Sequence, residues 1–135
     1  MKIFVNGSFD LLHPGHIEML FYAKSFGSHL HVAIDSDNRI SKHKGVDRPI
    51  NPLRIRKSIM ESLKPVDEVS VFDTDEDLIN IIRKYSPDIM VKGSDWRGKK
   101  VIGEEFCGKI IFYERVNGES TTKIIQDFIS RRQLL

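Results

Sequence analysis

Residues Phe4 to His16 read Phe-Val-Asn-Gly-Ser-Phe-Asp-Leu-Leu-His-Pro-Gly-His, and this stretch decides the fold. Its apolar start predicts a short strand, Gly7 frees the backbone after it, and Pro14 with Gly15 stands where a helix would begin. The first turn of a helix presents unpaired N–H groups and a partial positive charge. The stretch therefore predicts a strand that runs into a phosphate-binding helix N-terminus.

Two imidazoles, His13 and His16, fall at this predicted helix start, in the same turn as Ser8 and Asp10. A His-x-x-His pair could hold a metal, but zinc takes three or four ligands, and the other candidates (one cysteine and three histidines) are scattered along the chain. A purely structural use, with one ring capping the helix and the other packed, is a second alternative. We favour a third, in which hydroxyl, carboxylate and imidazoles converge at one strand end of an open α/β sheet, where such proteins bind ligands.

The segment from Gly7 to His16 resembles the signature of the cytidylyltransferase-like nucleotidyltransferases, in which His-x-Gly-His follows a Gly-[Ser/Thr/Cys]-Phe-Asp turn. Later segments extend the resemblance over nearly the whole chain. It implies a Rossmann-like nucleotidyltransferase fold. It also implies a reaction in which an acceptor phosphate attacks the α-phosphorus of CTP or ATP and pyrophosphate is released.

Composition limits the classes of protein that remain. A chain of 135 residues with 40% hydrophobic residues predicts one domain, residues 1–135, with a real core. No apolar run reaches the length of a membrane span, and the N-terminus turns polar too soon for a signal peptide. One cysteine excludes an internal disulfide. We therefore expect a cytoplasmic protein with no membrane partner.

The net charge is only +2, but basic residues are concentrated between Arg39 and Lys57. Such a run is usually a solvated face. Nucleic-acid binding is disfavoured because the run is not interleaved with aromatic residues and no recognised binding motif appears. We interpret a few of these cations as closing over a small polyphosphate.

Apolar segments at 2–5, 30–34, 68–72, 89–91 and 109–113 predict five strands that alternate with helices. The alternation predicts an α/β fold with a single-domain, doubly wound, mostly parallel five-stranded sheet. Residues 39–51 are expected to form a long polar loop. The apolar face of the first helix is predicted to comprise Ile17, Leu20, Phe21 and Ala23.

Four stretches should meet at the carboxyl edge of this sheet: residues 8–16, the basic segment with Lys44 and Arg56, residues 92–96, and residues 115–122. Two helix N-termini and several cations predict a ligand with more than one phosphate, such as a nucleoside triphosphate. The nucleotide-binding residues expected there are Gly7, Ser8, Phe9, Asp10, Lys92, Gly93, Asp95, Arg115, Ser120, Thr121 and Thr122.

The resemblance assigns roles to several of these residues. His13 and His16 would donate to the phosphates, and Lys44 and Arg56 would hold the triphosphate and the acceptor phosphate. Asp10 and Asp95 are the carboxylates nearest the expected triphosphate, and we expect one or both of them to orient Mg²⁺, which usually takes one or two carboxylates plus substrate phosphates. A homodimer is also expected, because it is common among the proteins this chain resembles.

The chain resembles two subfamilies that use different substrates. The segment from Arg48 to Arg56 resembles heptose-1-phosphate adenylyltransferases, whereas Arg115-x-x-Gly118-x-Ser120-Thr121-Thr122 is similar to glycerol-3-phosphate cytidylyltransferases. We expect CTP rather than ATP, because the segment with Arg115 can present donors to cytosine. A phosphorylated polyol or sugar would be the acceptor. A nucleotide-binding sensor that does not turn over is the alternative from another class.

Overall fold

The computed structural model describes residues 1–114 and 120–133, with five strands and five α-helices among them. The strands are β1 (Lys2–Gly7), β2 (His29–Asp35), β3 (Glu68–Phe72), β4 (Ile89–Gly93) and β5 (Lys109–Tyr113). The helices are α1 (Pro14–Lys24), α2 (Asp37–Lys44), α3 (Leu53–Ser62), α4 (Asp75–Tyr85) and α5 (Thr121–Gln133). Two short 3₁₀ turns, Ser94–Trp96 and Glu104–Phe106, lie between β4 and β5.

The five strands form one sheet in the order β3-β2-β1-β4-β5, and each neighbouring pair is parallel. The α/β fold with a doubly wound sheet is confirmed, and every pairing, not only most, is parallel. The strand order reverses beside β1, which pairs with β2 on one side and β4 on the other. Ligands bind at such a switch point because the connections on its two sides leave a crevice at the carboxyl ends of the strands.

The core forms two layers, one on each face of the sheet. One contains Ile3 and Val5 with Leu20, Ala23 and Met60 from α1 and α3. The other contains Phe4 and Ala33 with Leu78 and Ile82 from α4. β1 contributes to both layers because alternate side chains of a strand point to opposite faces.

The prediction for the buried face of α1 was partly wrong. Leu20 and Ala23 are buried, but Ile17 and Phe21 are 37% and 48% exposed. Successive residues on an α-helix are rotated by about 100°, so a helix that lies flat on a sheet buries only a narrow stripe. Residues next to that stripe stay in contact with solvent.

The prediction of a long loop over residues 39–51 was also wrong, because its first part belongs to α2. The Ser36 side chain accepts a hydrogen bond from the Arg39 amide and caps this helix. Asp37 lies in its first turn and Lys44 in its last turn, the arrangement that the helix dipole favours. Lys44 is therefore held at a helix end.

Within residues 1–114 and 120–133, no helix combines the length and the apolar character that crossing a bilayer would require.

Candidate active site

A cavity of about 680 Å³ lies across the carboxyl edge of the sheet, beside the switch point. Segments that follow β1, β2, β4 and β5 all contribute to it, as the sequence predicted. The predicted residues that line it are Gly7, Ser8, Phe9, His13, His16, Lys44, Lys92, Gly93, Asp95, Ser120 and Thr122.

His13 and His16 form a capping box at the start of α1. The Nδ1 atom of His13 accepts from the amide of Gly15 at 3.1 Å, and Nδ1 of His16 accepts from the amide of His13 at 3.3 Å. In a neutral imidazole one nitrogen accepts and the other donates, so in both neutral rings Nε2 carries the proton. The rings are stacked with centroids 3.8 Å apart, and both line the cavity. The spacing of the two histidines thus sets two Nε2–H donors side by side.

Of the alternatives for these histidines, the structure shows the capping role directly. The capping bonds fix the orientation of both rings, and both rings line the cavity. Phosphate binding by the two rings stays a prediction.

The glycine in the His-x-Gly-His pattern is explained by the ring of His13. A Cβ atom at Gly15 would lie 2.9 Å from Cε1 and 3.0 Å from Nδ1 of that ring. Any side chain at this position would displace the imidazole. The preceding turn is also tight, since Phe9 has a φ of 47° and its ring would lie 3.1 Å from a Cβ at Gly7.

Lys44 reaches the same turn from the end of α2. Its Nζ atom lies 3.1 Å from the Ser8 hydroxyl, and both residues line the cavity. The ammonium group therefore lies beside the turn that follows β1, at the cavity. Its contact with a ligand stays a prediction.

Arg56 does not line the cavity and is only 1% exposed. Its guanidinium donates to the carbonyl oxygens of Ser8 at 3.0 Å, Asp35 at 2.8 Å and Asn51 at 2.9 Å. It also donates to Asp37 Oδ1 at 2.7 Å. The expected phosphate contact is thus replaced by a structural one: Arg56 joins the segments after β1 and β2 to the residues before α3.

Asp10 is likewise 1% exposed, and its carboxylate has other partners. It accepts from the amides of Ile50 and Asn51, both at 2.8 Å, and lies 3.4 Å from Nε of Arg48. These bonds hold residues 48–51 against the phosphate-binding turn. Asp10 therefore supports the site through these bonds and does not line the cavity.

A different arm of the cavity follows β4. Lys92 is half-buried, and its Nζ atom lies 4.4 Å from the Trp96 ring centroid and 3.5 Å from Asn6 Oδ1. Burial lowers the pKa of Lys92, while the negative charges of Asp35 and Asp95 raise it. Lys92, Asp95 and Trp96 all line the cavity, so this arm offers a cation, a carboxylate and an aromatic face.

The sequence profile of the family described as Cytidylyltransferase-like matches residues 4–127. The chain belongs to this family. As a cytidylyltransferase-like chain it is a nucleotidyltransferase-like domain, and the matched region includes every segment that lines the cavity.

Curated relatives of this cytidylyltransferase-like chain are named Bifunctional protein HldE. The protein from Campylobacter fetus subsp. fetus is 46% identical over 123 residues, which is 91% of this chain and 27% of the relative. The protein from Nitratiruptor sp. is 43% identical over 126 residues, which is 92% of this chain and 27% of the relative. The chain thus spans about a quarter of the length of the curated relatives it matches.

A solved structure, the lipopolysaccharide core biosynthesis protein from Thermoplasma volcanium GSS1, has the same fold. It covers 87% of this chain and 98% of its own chain with a TM-score of 0.72 and 24% identity. A protein of unknown function from Archaeoglobus fulgidus superposes with a TM-score of 0.57 and 17% identity, covering 87% of this chain and 100% of that one. Both likenesses support the Rossmann-like architecture of the cytidylyltransferase-like family.

Only one of the two carboxylates predicted for Mg²⁺ fits that role. The oxygens of Asp10 already accept main-chain hydrogen bonds behind the site, whereas Asp95 lines the cavity. Among residues 1–114 and 120–133, no three His, Cys, Asp or Glu side chains form a group that could hold a metal. One carboxylate with substrate phosphates is nevertheless a usual ligand set for Mg²⁺.

Two other predicted residues lie where the structure gives no description. Arg115 falls outside the described residues, and so does the side chain of Thr121. The neighbouring Ser120 accepts from the Lys123 amide at 3.0 Å, and Ser120 and Thr122 line the cavity beside the start of α5.

The sequence analysis missed another group of cavity residues. Asp35, Phe72 and Asp75 were given no role in the site, and Arg39 was placed in a loop. All four line the cavity together with Lys44. A carboxylate at the end of a central parallel strand was the available signal, because that end lies at the ligand edge of the sheet.

Proposed function

We propose that this chain is an adenylyltransferase, which transfers AMP from ATP to a sugar 1-phosphate of the heptose type and releases pyrophosphate. The observation that carries the proposal is the pair of stacked imidazoles, whose Nε2–H donors share a cavity with Lys44 and the start of α5. That arrangement suits a polyphosphate whose α-phosphorus lies beside the histidines.

The choice of nucleotide departs from the expectation of CTP. That expectation rests on Arg115, which lies outside the described residues, whereas the HldE relatives favour the ATP alternative. The segment from Arg48 to Arg56, with its resemblance to heptose-1-phosphate adenylyltransferases, supports the same choice. It is the segment that Asp10 holds against the site.

The proposed reaction requires the protein mainly to align the two substrates and to stabilise the charge of their phosphates. An oxygen of the acceptor phosphate forms a bond to the α-phosphorus, and the bond from that phosphorus to the bridging oxygen of the β-phosphate breaks. Pyrophosphate leaves with the electron pair. Because the nucleophile is already an anion, no general base is required, and catalysis consists of alignment and stabilisation of phosphate charge.

Several residues at the cavity have distinct roles in the proposed reaction. The two Nε2–H groups donate to phosphate oxygens as negative charge shifts toward the leaving group, and Lys44 neutralises charge beside Ser8. The first amides of α5, next to Ser120, bind a further phosphate. Asp95 would hold Mg²⁺, which when bound adds positive charge to the leaving phosphates.

The experiment measures pyrophosphate release in a grid of ATP and CTP against heptose 1-phosphate and glycerol 3-phosphate. We expect ATP with heptose 1-phosphate to give the highest kcat/KM. His16→Ala should lower kcat by about 100- to 1000-fold while the melting temperature stays near that of the wild type. Highest activity with CTP would restore the cytidylyl alternative, and nucleotide binding without turnover in any combination would indicate a sensor.

The homodimer remains a proposal as well. Sedimentation velocity at micromolar concentration would measure it, and a monomeric species throughout would contradict it.

A further inference from the structure

The cavity has an arm at the carboxyl ends of β2 and β3 that the phosphate chemistry above does not use. Its lining includes Asp35, Arg39, Phe72, Asp75 and Leu78. This arm differs from the phosphate-binding turn in character: it brings two carboxylates and an apolar wall to a cavity otherwise suited to anions. Such groups require an explanation in a site for two phosphorylated substrates, because a carboxylate repels phosphate.

Arg39 is held firmly in this arm. Its Nε atom lies 3.3 Å from Asp35 Oδ2, and Nη2 lies 2.8 Å from Asp75 Oδ1. The guanidinium carbon lies 5.0 Å from the centre of the Phe72 ring. A guanidinium fixed by two carboxylates and an aromatic face is preorganised, so a ligand that meets it pays little conformational entropy.

The two oxygens of the Asp35 carboxylate differ in their partners within the described part of the chain. Oδ2 faces Arg39, whereas Oδ1 accepts none of the hydrogen bonds formed among residues 1–114 and 120–133. Burial raises the pKa of this carboxyl, and the charges of Arg39, Lys44 and Arg56 lower it. An ionised carboxylate accepts hydrogen bonds and donates none, so its natural partner in a ligand is a hydroxyl group.

We propose that Asp35 binds a hydroxyl group of the acceptor and, with Arg39 beside it, selects sugar or polyol phosphates over phosphates that lack hydroxyls. The inference rests on the proposed function and adds the residue that recognises the acceptor. Phe72 and Leu78 then lie against the carbon skeleton, and the acceptor phosphate points toward Lys44 and the histidines. A site built to bind a hydroxyl discriminates strongly against a ligand without it, because the buried polar group is left unpaired.

The test uses heptose 1-phosphate as acceptor and methyl phosphate, which has no hydroxyl, as a competitive inhibitor. In Asp35→Ala we expect the KM for heptose 1-phosphate to rise at least about tenfold. The Ki of methyl phosphate and the KM for ATP should change by less than about twofold, and Asp35→Asn, which keeps an acceptor oxygen, should have an intermediate KM for heptose 1-phosphate.

Two control variants separate this role from simpler ones. Asp47→Ala removes an exposed carboxylate that does not line the cavity and should leave all three constants unchanged. Asp75→Asn removes the other carboxylate that holds Arg39, so an equal rise in KM there would mean that Asp35 acts only through Arg39. That result would overturn the proposal, as would an equal rise in the KM for ATP or unchanged constants in Asp35→Ala. A wild-type protein that releases no pyrophosphate at all would instead disprove the proposed function and, with it, this assignment.

Discussion

The Nη1 atom of Arg56 lies 3.0 Å from the carbonyl oxygen of Ser8 and 2.8 Å from that of Asp35, so one buried side chain joins the ends of the two central strands β1 and β2. α3, which carries Arg56, supplies none of the cavity lining. Arg56 therefore supports the shape of the cavity without lining it.

Replacing Arg56 by lysine should lower stability and activity together. A lysine cannot reproduce the planar set of donors, and each buried acceptor left unpaired costs about 1–3 kcal/mol. We expect a loss of about 2–4 kcal/mol in the free energy of unfolding, measured by urea denaturation. Arg54→Lys, on an exposed position of the same helix, is the matched control and should change little. If Arg56→Lys had normal stability and a raised KM for ATP, the result would favour the phosphate-binding role predicted from the sequence.

Gly15→Ala should inactivate the protein without unfolding it. The new Cβ would lie 2.9 Å from Cε1 of His13 and would push the ring away from its cap. Alanine favours the helix by up to about 1 kcal/mol over glycine, which offsets the lost cap of similar size. We expect a melting temperature close to that of the wild type and a kcat lowered by about 100-fold, since small misplacements of catalytic groups have effects of this order. A fully active variant would show that the position of His13 is not critical.

Lys44→Ala should reduce kcat/KM by about ten- to a hundredfold. This corresponds to the loss of one charge-assisted hydrogen bond, about 1.5–3 kcal/mol. Lys42→Ala removes an exposed lysine of the same helix and serves as the comparison. Because Lys44 ends a helix, its position does not depend on a loop that must first become ordered. Equal, small effects of the two substitutions would assign the basic run to the solvated surface.

Substitution of Asp10 and of Asp95, the two carboxylates predicted to orient Mg²⁺, should have different effects. Asp95→Asn should raise the Mg²⁺ concentration needed for half-maximal activity and leave the melting temperature unchanged, because Asp95 lines the cavity. Asp10→Asn should lower the free energy of unfolding by about 1–3 kcal/mol, because an amide cannot accept from the amides of both Ile50 and Asn51 with both of its terminal atoms. A shifted Mg²⁺ requirement in Asp10→Asn at normal stability would return Asp10 to the metal site.

Asp35→Asn should be more stable than the wild type at neutral pH. Burial raises the pKa of Asp35 in the folded protein above its ordinary value of about 4, so ionisation costs the folded state more than the unfolded one. The free energy of unfolding of the wild type therefore falls as the pH rises from about 4 through the raised pKa. Asparagine does not titrate, so the variant shows no such fall. Urea denaturation at pH 4, 5.5 and 7 should therefore show an advantage of the variant that grows with pH. A constant or shrinking advantage would mean that the interaction with Arg39 outweighs burial. A functional group that costs stability is expected at a binding site.

The sequence alone determined the α/β architecture, the parallel sheet and the composite site at its carboxyl edge. These follow from local patterns, namely apolar runs of strand length, the helix start at Pro14, and the order of elements along the chain. The family signature from Gly7 to His16 also singled out the two histidines, which line the cavity. Local chemistry was sufficient because both imidazoles act within one helical turn.

Tertiary contacts decide which charged residues line the cavity and which ones hold its walls in place. Arg56 and Asp10 have the residue types of ligand-binding groups, yet they bond to main-chain atoms of segments that are 21 to 48 residues away in sequence. Asp35 and Arg39, by contrast, face the cavity because β2 ends at its edge and α2 follows immediately. A charged side chain is placed by the long-range contacts that can satisfy it, and the spacing of residues along the chain carries little information about such contacts.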